Sequence, residues 1–411
     1  LVEAGPFYGN ERWPKPNESP GAESSSSVED LSGALLDAQF TTRELEMIRK
    51  LVFGPADHER GFWLRKFPGD GAILQCAGVG GTTLHYTGCH PRAYPASIDE
   101  QGHWPIEYAD LIPYYQEVEA MCEVTPAPVT AKEELFFRGA AAAGWDLLDG
   151  LNVTEPGYRP QPNAIRQPDP RLHVDAGYGG DFSYPDVEGD TLALGSIAGH
   201  PFPRGAPYEE KAKRASNISF VPAALRTGTV TVRPNAFVTA IETDSAGIDH
   251  PTATGVRFRD TWSGRVETVR SEVVVLAAGA IETPRLWLNA DLPRNEWVGR
   301  GMTIHFGDNV MGLWDAADLE SRIGQDTIDQ FQGQDIAARF DYPGLGMLQT
   351  VGTAPGIGAI LGFGSSASGF AFQNDPADAP WDTVGRLAGA ELKRLLSGYR
   401  RMLQVLVVSD D

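Results

Sequence analysis

Apolar and polar positions alternate most regularly between residues 229 and 278. Residues 229–233, 237–243, 253–260 and 265–270 each read as short β-rich runs, and Gly264 marks a turn before the last of them. Residues 273–278 differ. They are apolar throughout, the pattern of a strand buried on both faces at the centre of a parallel sheet. They lead into Gly279-Ala280 and a predicted helix, with Thr283 as candidate cap and Pro284 at its first position. Upstream, Leu111, Tyr115, Val118 and Cys122 recur at helical spacing and predict a helix over 109–124, with Asp110 well placed near its start. Residues 41–51 form a second predicted helix, with Thr42 as candidate cap and Glu44 and Glu46 in its first turn. After residue 305 the texture changes. Residues 309–314, 336–342 and 402–408 read as strands, 380–396 as a helix, and 344–369 are rich in glycine. This part reads as a second, sheet-based domain.

Between these elements the pattern is irregular. Residues 14–29 carry Pro, Ser, Glu and Gly and read as a loop; residues 152–207 read as long excursions over a surface, a candidate lid. Leu1 to Pro6 look like the end of a buried strand followed by a turn. A domain seldom begins there, so the chain is expected to be cut at its start, and for a reason given below at its end. Residues 273–278 and 403–408 are far too short for a membrane span.

Charge narrows the partners. The 411 residues include 55 acids against 34 bases, a formal net charge of −21. A phosphate-binding surface needs the opposite sign, so nucleic acid and anionic lipid are excluded as expected partners. Only seven of the bases are lysine. An acidic, lysine-poor surface suits a salt-rich cytoplasm, and an acidic protein with GC-rich coding reads the same way. Three cysteines, none in a C-x-x-C pair, are too few for a disulfide scaffold and too widely spaced for an iron–sulfur cluster.

Three places carry candidate chemistry. An acid at the end of a dinucleotide fold's second strand accepts hydrogen bonds from the adenosine ribose, and Glu3 has that setting; the glycine turn expected roughly 20 residues earlier would precede residue 1. The stretch Gly78-Val79-Gly80-Gly81-Thr82-Thr83-Leu84-His85-Tyr86-Thr87-Gly88 offers unshielded backbone N–H groups and hydroxyls to a flat ligand. The run ending in Ala277-Ala278-Gly279-Ala280 permits close backbone contact with a cofactor at a strand's carboxyl end. Each alone is equally readable as a surface acid, a glycine turn and a strand–helix connection.

Together, in this order, they resemble the glucose–methanol–choline (GMC) oxidoreductases. Val2-Glu3-Ala4-Gly5 is similar to the family's ribose-binding strand end, and Gly80-Gly81-Thr82-Thr83 to its flavin-contacting segment. Gly279-Ala280-Ile281-Glu282-Thr283-Pro284-Arg285-Leu286 is similar to its second signature, where Trp287 departs from the usual aliphatic residue. Trp104-Pro105-Ile106, Asp110-Leu111, Pro113-Tyr114-Tyr115 and Glu119, with Val298-Gly299-Arg300, Met302 and His305, resemble the branch of gluconate and fructose dehydrogenase flavoprotein subunits and pyranose oxidase.

The resemblance implies an α/β fold: a Rossmann-like FAD-binding domain over 1–95 and 210–308 lacking its first strand and glycine turn, cap segments over 96–209, and an incomplete substrate domain over 309–411. It implies FAD contacts at Glu3, Gly5, Gly80, Gly81, Thr82, Thr83, His85, Thr87, Val238, Ala278 and Gly279, with His85 a candidate for covalent attachment. It implies oxidation of the CH–OH group of an alcohol, sugar or polyol by hydride transfer to flavin N5, with oxygen, a quinone or a cytochrome as acceptor. No metal is expected: some relatives carry cluster cysteines before a Pro-x-Ala segment, and residues 200–222 contain none. The family's catalytic histidine and its partner would lie beyond residue 411, so no catalytic residue is assigned; His90, His103 and His305 match no catalytic position. The alternatives are a non-redox flavoprotein like the hydroxynitrile lyases, which share the scaffold, and a non-catalytic fragment. A cytoplasmic location is slightly favoured over others.

Overall fold

A computed structural model describes residues 1–5, 61–66, 72–84, 86–100, 104–165, 213–244, 251–261, 263–290, 292–293, 295–303, 307–328, 334–352 and 389–410. The expected helix over 41–51 and the loop over 14–29 lie outside them. In chain order the elements are β1 (Gly61–Lys66), β2 (Ala72–Ala77), α1 (Pro95–Asp99), α2 (Tyr108–Met121), β3 (Thr125–Pro126), α3 (Ala131–Ala142), β4 (Gly157–Pro160) and β5 (Pro162–Asn163). They continue with α4 (Phe220–Arg226), β6 (Ala236–Asp244), β7 (Thr252–Asp260), β8 (Val266–Arg270), α5 (Gly279–Asn289), β9 (Gly307–Leu313), α6 (Ala316–Ile323), β10 (Ala338–Tyr342), β11 (Gly346–Val351), α7 (Gly389–Ser397) and β12 (Met402–Ser409). This mixture is consistent with the α/β class expected from sequence.

The described residues fall into two units. The first draws on Leu1–Val28, Ile48–Leu84 and Phe220–Ile304. Its antiparallel meander β6-β7-β8 follows the alternation read from sequence. Residues 229–233, expected as a strand, contribute instead a single parallel bridge, Val2 to Arg233. That bridge is flanked by backbone bonds from Arg233 N–H to Leu1 O (2.8 Å), from Glu3 N–H to Arg233 O (3.0 Å) and from Ala236 N–H to Glu3 O (2.8 Å). The first residues of the chain therefore run beside 231–236. Helix α5 packs on β6 through Ile241, Leu286 and Ala290, with Val238 and Leu276 against that cluster.

Two expectations fail here. Residues 273–278 are not a strand buried on both faces. Val274 and Leu276 turn partly inward, while Val273 and Val275 are 72% and 81% exposed. The last ladder bond before them joins Ser271 N–H to Thr254 O. Among the described residues no strand pairs with the run, and an apolar stretch becomes a central strand only where both backbone edges find partners. Helix α5 also begins at Gly279, with Pro284 inside it rather than at its first position. Thr283 does not cap its own N-terminus. Its Oγ1 accepts the Ala278 N–H (3.0 Å) and so secures the turn that starts the helix.

The second unit draws on Glu29–Met47, His85–Ser219 and His305–Asp411. Its centre is a five-stranded antiparallel sheet in the order β4-β10-β11-β12-β9. One face is aromatic and aliphatic. Phe340, Tyr158, Tyr342, Leu348 and Val405 meet Phe136, Phe137 and Ala140 of α3, and Trp145 sits edge-on to Phe340 at 5.1 Å. The other face carries Arg159, Arg339, Asp341, Gln349 and Gln404, all buried. A further cluster of Leu135, Leu319 and Ile328 joins α3 and α6.

Helix α2 matches the expected helix closely, with Glu107 and Asp110 closing a capping box at its start. By contrast, residues 157–165 correct the reading of 152–207 as a surface excursion. They include β4 and β5, and Gly157, Arg159 and residues 161–165 are buried. Proline is tolerated at the end of β4, an edge strand of the sheet whose outer side makes only a single bridge, from Tyr158 to Leu147. Residues 166–207 lie outside the described residues. On the exposed face of α3, Arg138 pairs with Glu134 one turn earlier, both about half exposed. Solvent screens such a pair, so Arg138→Ala should lower stability by less than about 0.5 kcal/mol in urea unfolding.

Candidate cofactor-binding site

The site is built first around Glu3. Its Oε1 accepts the N–H of Gly5 at 2.9 Å and the N–H of Gly78, from the far end of β2, at 3.0 Å. Burial pushes its carboxyl above the ordinary range, and the amides of Gly5 and Gly78 pull back against that. Gly5 is the residue that permits the approach. A Cβ there would lie 2.1 Å from the carbonyl oxygen of Ala77, which only glycine avoids.

After Ala77 the chain turns through four residues. Gly81 N–H bonds to Gly78 O at 2.8 Å, and Gly80 and Gly81 take φ of 115° and 58°. Val79, 1% exposed, anchors the turn from below. Gly81–Leu84 then forms one 3-10 turn in which the Thr83 hydroxyl donates to Gly80 O (2.6 Å), while Thr82 is exposed. A Cβ on Gly81 would meet nothing within 4 Å. At Gly81 the turn thus presents bare backbone to open space, next to a half-buried carboxylate. That donor and acceptor set fits the ribose and pyrophosphate of a dinucleotide such as FAD.

The neighbouring segment 86–90 belongs to the second unit. His85 lies outside the described residues. Thr87 Oγ1 lies 3.2 Å from Cys89 Sγ, and the Tyr86 hydroxyl 3.1 Å from His90 Nε2. Burial pushes the Tyr86 hydroxyl well above its ordinary range and pulls His90 below its own. Lys213, fully buried, donates to Tyr86 O at 3.1 Å and lies 5.3 Å from the centre of the Tyr86 ring. Ala164 N–H bonds to Gly88 O at 2.7 Å. Residues 86–88 are therefore fixed from both sides by 164–165 and 213.

The structure brings Glu3, Gly5 and the turn holding Gly80 and Gly81 into one hydrogen-bonded group. Val238 is instead half-buried in the cluster beneath α5, and Ala278 and Gly279 are exposed at the start of that helix, Gly279 with φ of 89°. Sequence reasoning named Gly78 only as the start of the glycine-rich stretch and did not single out Lys213 or Arg92. No local signal ties Gly78 to Glu3 across 75 positions. Arg92 grips Glu119 of α2 through Nε and Nη2, both at 2.6 Å, and reaches Asn152 Oδ1 at 2.8 Å. Among the described residues no group of three or more His, Cys, Asp or Glu is placed to hold a metal, and no helix is long and apolar enough to cross a membrane.

Comparison with known proteins finds partial matches. A model of the GMC oxidoreductases matches residues 201–307. The 6'''-hydroxyparomomycin C oxidase of Streptomyces lividus is 28% identical over 260 residues, covering 58% of this chain and 43% of that protein. The 2-methyl-1,2-propanediol dehydrogenase of Mycolicibacterium austroafricanum is 27% identical over 233 residues, covering 51% of this chain and 36% of that protein. The matched stretch thus spans less than half the length of either relative. Among solved structures, formate oxidase of Aspergillus oryzae aligns with 99% of this chain and 72% of its own at a TM-score of 0.47 and 11% identity. The segment matched by the family model includes β6-β8, α5 and the turn at Gly279, and in that part the chain is similar to the GMC oxidoreductases.

Proposed function

We propose that this chain forms the FAD-binding part and much of the substrate domain of an oxidoreductase that oxidises the CH–OH group of an alcohol, sugar or polyol. The observation that carries the reading is the half-buried Glu3 carboxylate bonded to the glycine turn at 78–81, in a chain whose residues 201–307 match the GMC family. When bound, FAD supplies a hydride acceptor at N5. Glu3 would hold the ribose hydroxyls, and the bare backbone of the turn at Gly80 and Gly81 would lie against the cofactor. Thr87 is proposed as a flavin contact on the family resemblance of residues 80–87 alone. The FAD-binding part is assigned to 1–95 and 210–308. The finer placement beside gluconate and fructose dehydrogenase subunits and pyranose oxidase rests on Asp110, Glu119 and the 298–305 segment.

The test is anaerobic mixing of the FAD-loaded protein with a series of polyols. Loss of the oxidised-flavin absorbance is the expected result. FAD bound but never bleached would overturn oxidation in favour of a non-redox, lyase-like role. His85 is proposed as the covalent attachment point. Flavin should then precipitate with the protein in acid, and His85→Ala should move essentially all of it to the supernatant. Free flavin in the wild-type supernatant would exclude the link.

A further inference from the structure

We infer that Glu3 is a positioning residue, whose carboxylate latches the glycine turn at 78–81 to the chain end at 1–5 and so presets the backbone that meets the cofactor. The inference rests on the proposed cofactor reading only for its second measurement. Three observations carry it. A single oxygen, Oε1, accepts from Gly5 and from Gly78, so one group closes a contact between segments 75 residues apart. The backbones meet so closely that Gly5 has no room for a side chain against Ala77 O and Gly78 N. And Gly78 is the pivot of the turn, because its carbonyl takes the Gly81 N–H while its own N–H goes to Glu3. Freeing that N–H removes the tie holding the start of the turn, and the disposition of Gly80 and Gly81 is then set by local preference alone. Two glycines with positive φ have little such preference. A latch of this kind acts before any ligand arrives and lowers the ordering cost of binding.

The experiment compares wild type, Glu3→Gln and Glu3→Ala by hydrogen exchange without ligand, then by FAD titration. The glutamine amide oxygen can accept the same two N–H groups, whereas alanine offers none. In Glu3→Ala, exchange of the 78–81 amides should rise about tenfold or more, with β6 and β7 unchanged, and FAD affinity should fall about tenfold. Glu3→Gln should restore the exchange to within about threefold of wild type. Should Glu3→Ala fail to fold, Glu3→Asp, one methylene too short to reach Gly78, replaces it with the same local loosening expected. Unchanged exchange at 78–81 with weakened FAD binding would overturn the latch and leave Glu3 a direct ligand contact only. Equal loosening of β6 and β7, or no rescue by glutamine, would also overturn it. If the turn loosens as expected but wild type binds no FAD, the latch stands and the cofactor reading fails.

Discussion

Asp341→Asn is expected to cost about 3–5 kcal/mol of stability, because it strips the counter-charge from two buried guanidinium groups. Asp341 is fully buried on β10. Its Oδ2 accepts from Arg159 Nε at 2.8 Å, its Oδ1 from Arg339 Nε at 2.8 Å, and Oδ1 also accepts from the Tyr94 hydroxyl at 2.8 Å. Arg159 and Arg339 are 3% and 1% exposed, so neither can turn to water. Asparagine keeps the shape and one acceptor but leaves two positive charges together in a dry interior. The measurement is urea unfolding of wild type and variant at neutral pH. A loss below about 1 kcal/mol would show that the arginines find other anions.

The same carboxyl sets a pH dependence. Burial alone would raise its pKa, but the Arg339 and Arg159 guanidiniums and the Tyr94 hydroxyl outweigh burial and hold it below the ordinary aspartate range. A depressed folded-state value means stability that is fully present above the unfolded-state pKa and is lost as pH falls through the folded-state one. Acid unfolding of wild type should therefore be steepest below the ordinary aspartate range, and Asp341→Asn should remove that part of the slope. Burial also pulls the Arg159 guanidinium below its usual value. An arginine starts so far above neutrality that it stays charged, so the acid limb belongs to Asp341.

How far the sequence foretold this arrangement depended on the range of the interaction. β6, β7 and β8 were legible because alternation along one strand records which face it buries, and α2 because its apolar spacing and Asp110 are local. Helix α3 went unread although Thr130 and Glu133 spell a capping box within four residues. The hairpin β1–β2 was missed as well, since nothing marked 61–66 and 72–77 as partners. The buried Arg159–Asp341–Arg339 group could not be found from patterning. Charged residues on a strand read as its solvent face until a partner 182 positions away is known. Residues 273–278 fail for the converse reason. Their apolar character states a demand for partners, and pattern alone does not say where those partners are. At the candidate site the identities of Glu3, Gly80 and Gly81 were legible through a family resemblance, while the contact that joins them runs through Gly78, whose contribution is a backbone N–H that any residue carries.

That contact makes the second large expectation. Gly5→Ala should cost about 3 kcal/mol and weaken FAD binding about 100-fold. The added methyl would stand 2.1 Å from Ala77 O, 2.2 Å from Ala77 C and 2.4 Å from Gly78 N, all backbone atoms. No side-chain rotamer relieves such a clash, so either the chain end at 1–5 or the turn must move. The chain end is tied down by the Asn235 N–H to Gly5 O bond at 2.9 Å and by the bridge at Val2. The turn yields instead and takes Gly80 and Gly81 out of position. The strain falls on the same contact that Glu3 closes, so the two changes must not add. In a Glu3→Ala background the contact is already open, and Gly5→Ala should then cost less than half of what it costs in wild type. Urea unfolding and FAD titration of the two single variants and the double variant complete the cycle. Full additivity would mean that Gly5 and Glu3 support separate parts of the fold, and that the close approach at Ala77 has no bearing on the turn.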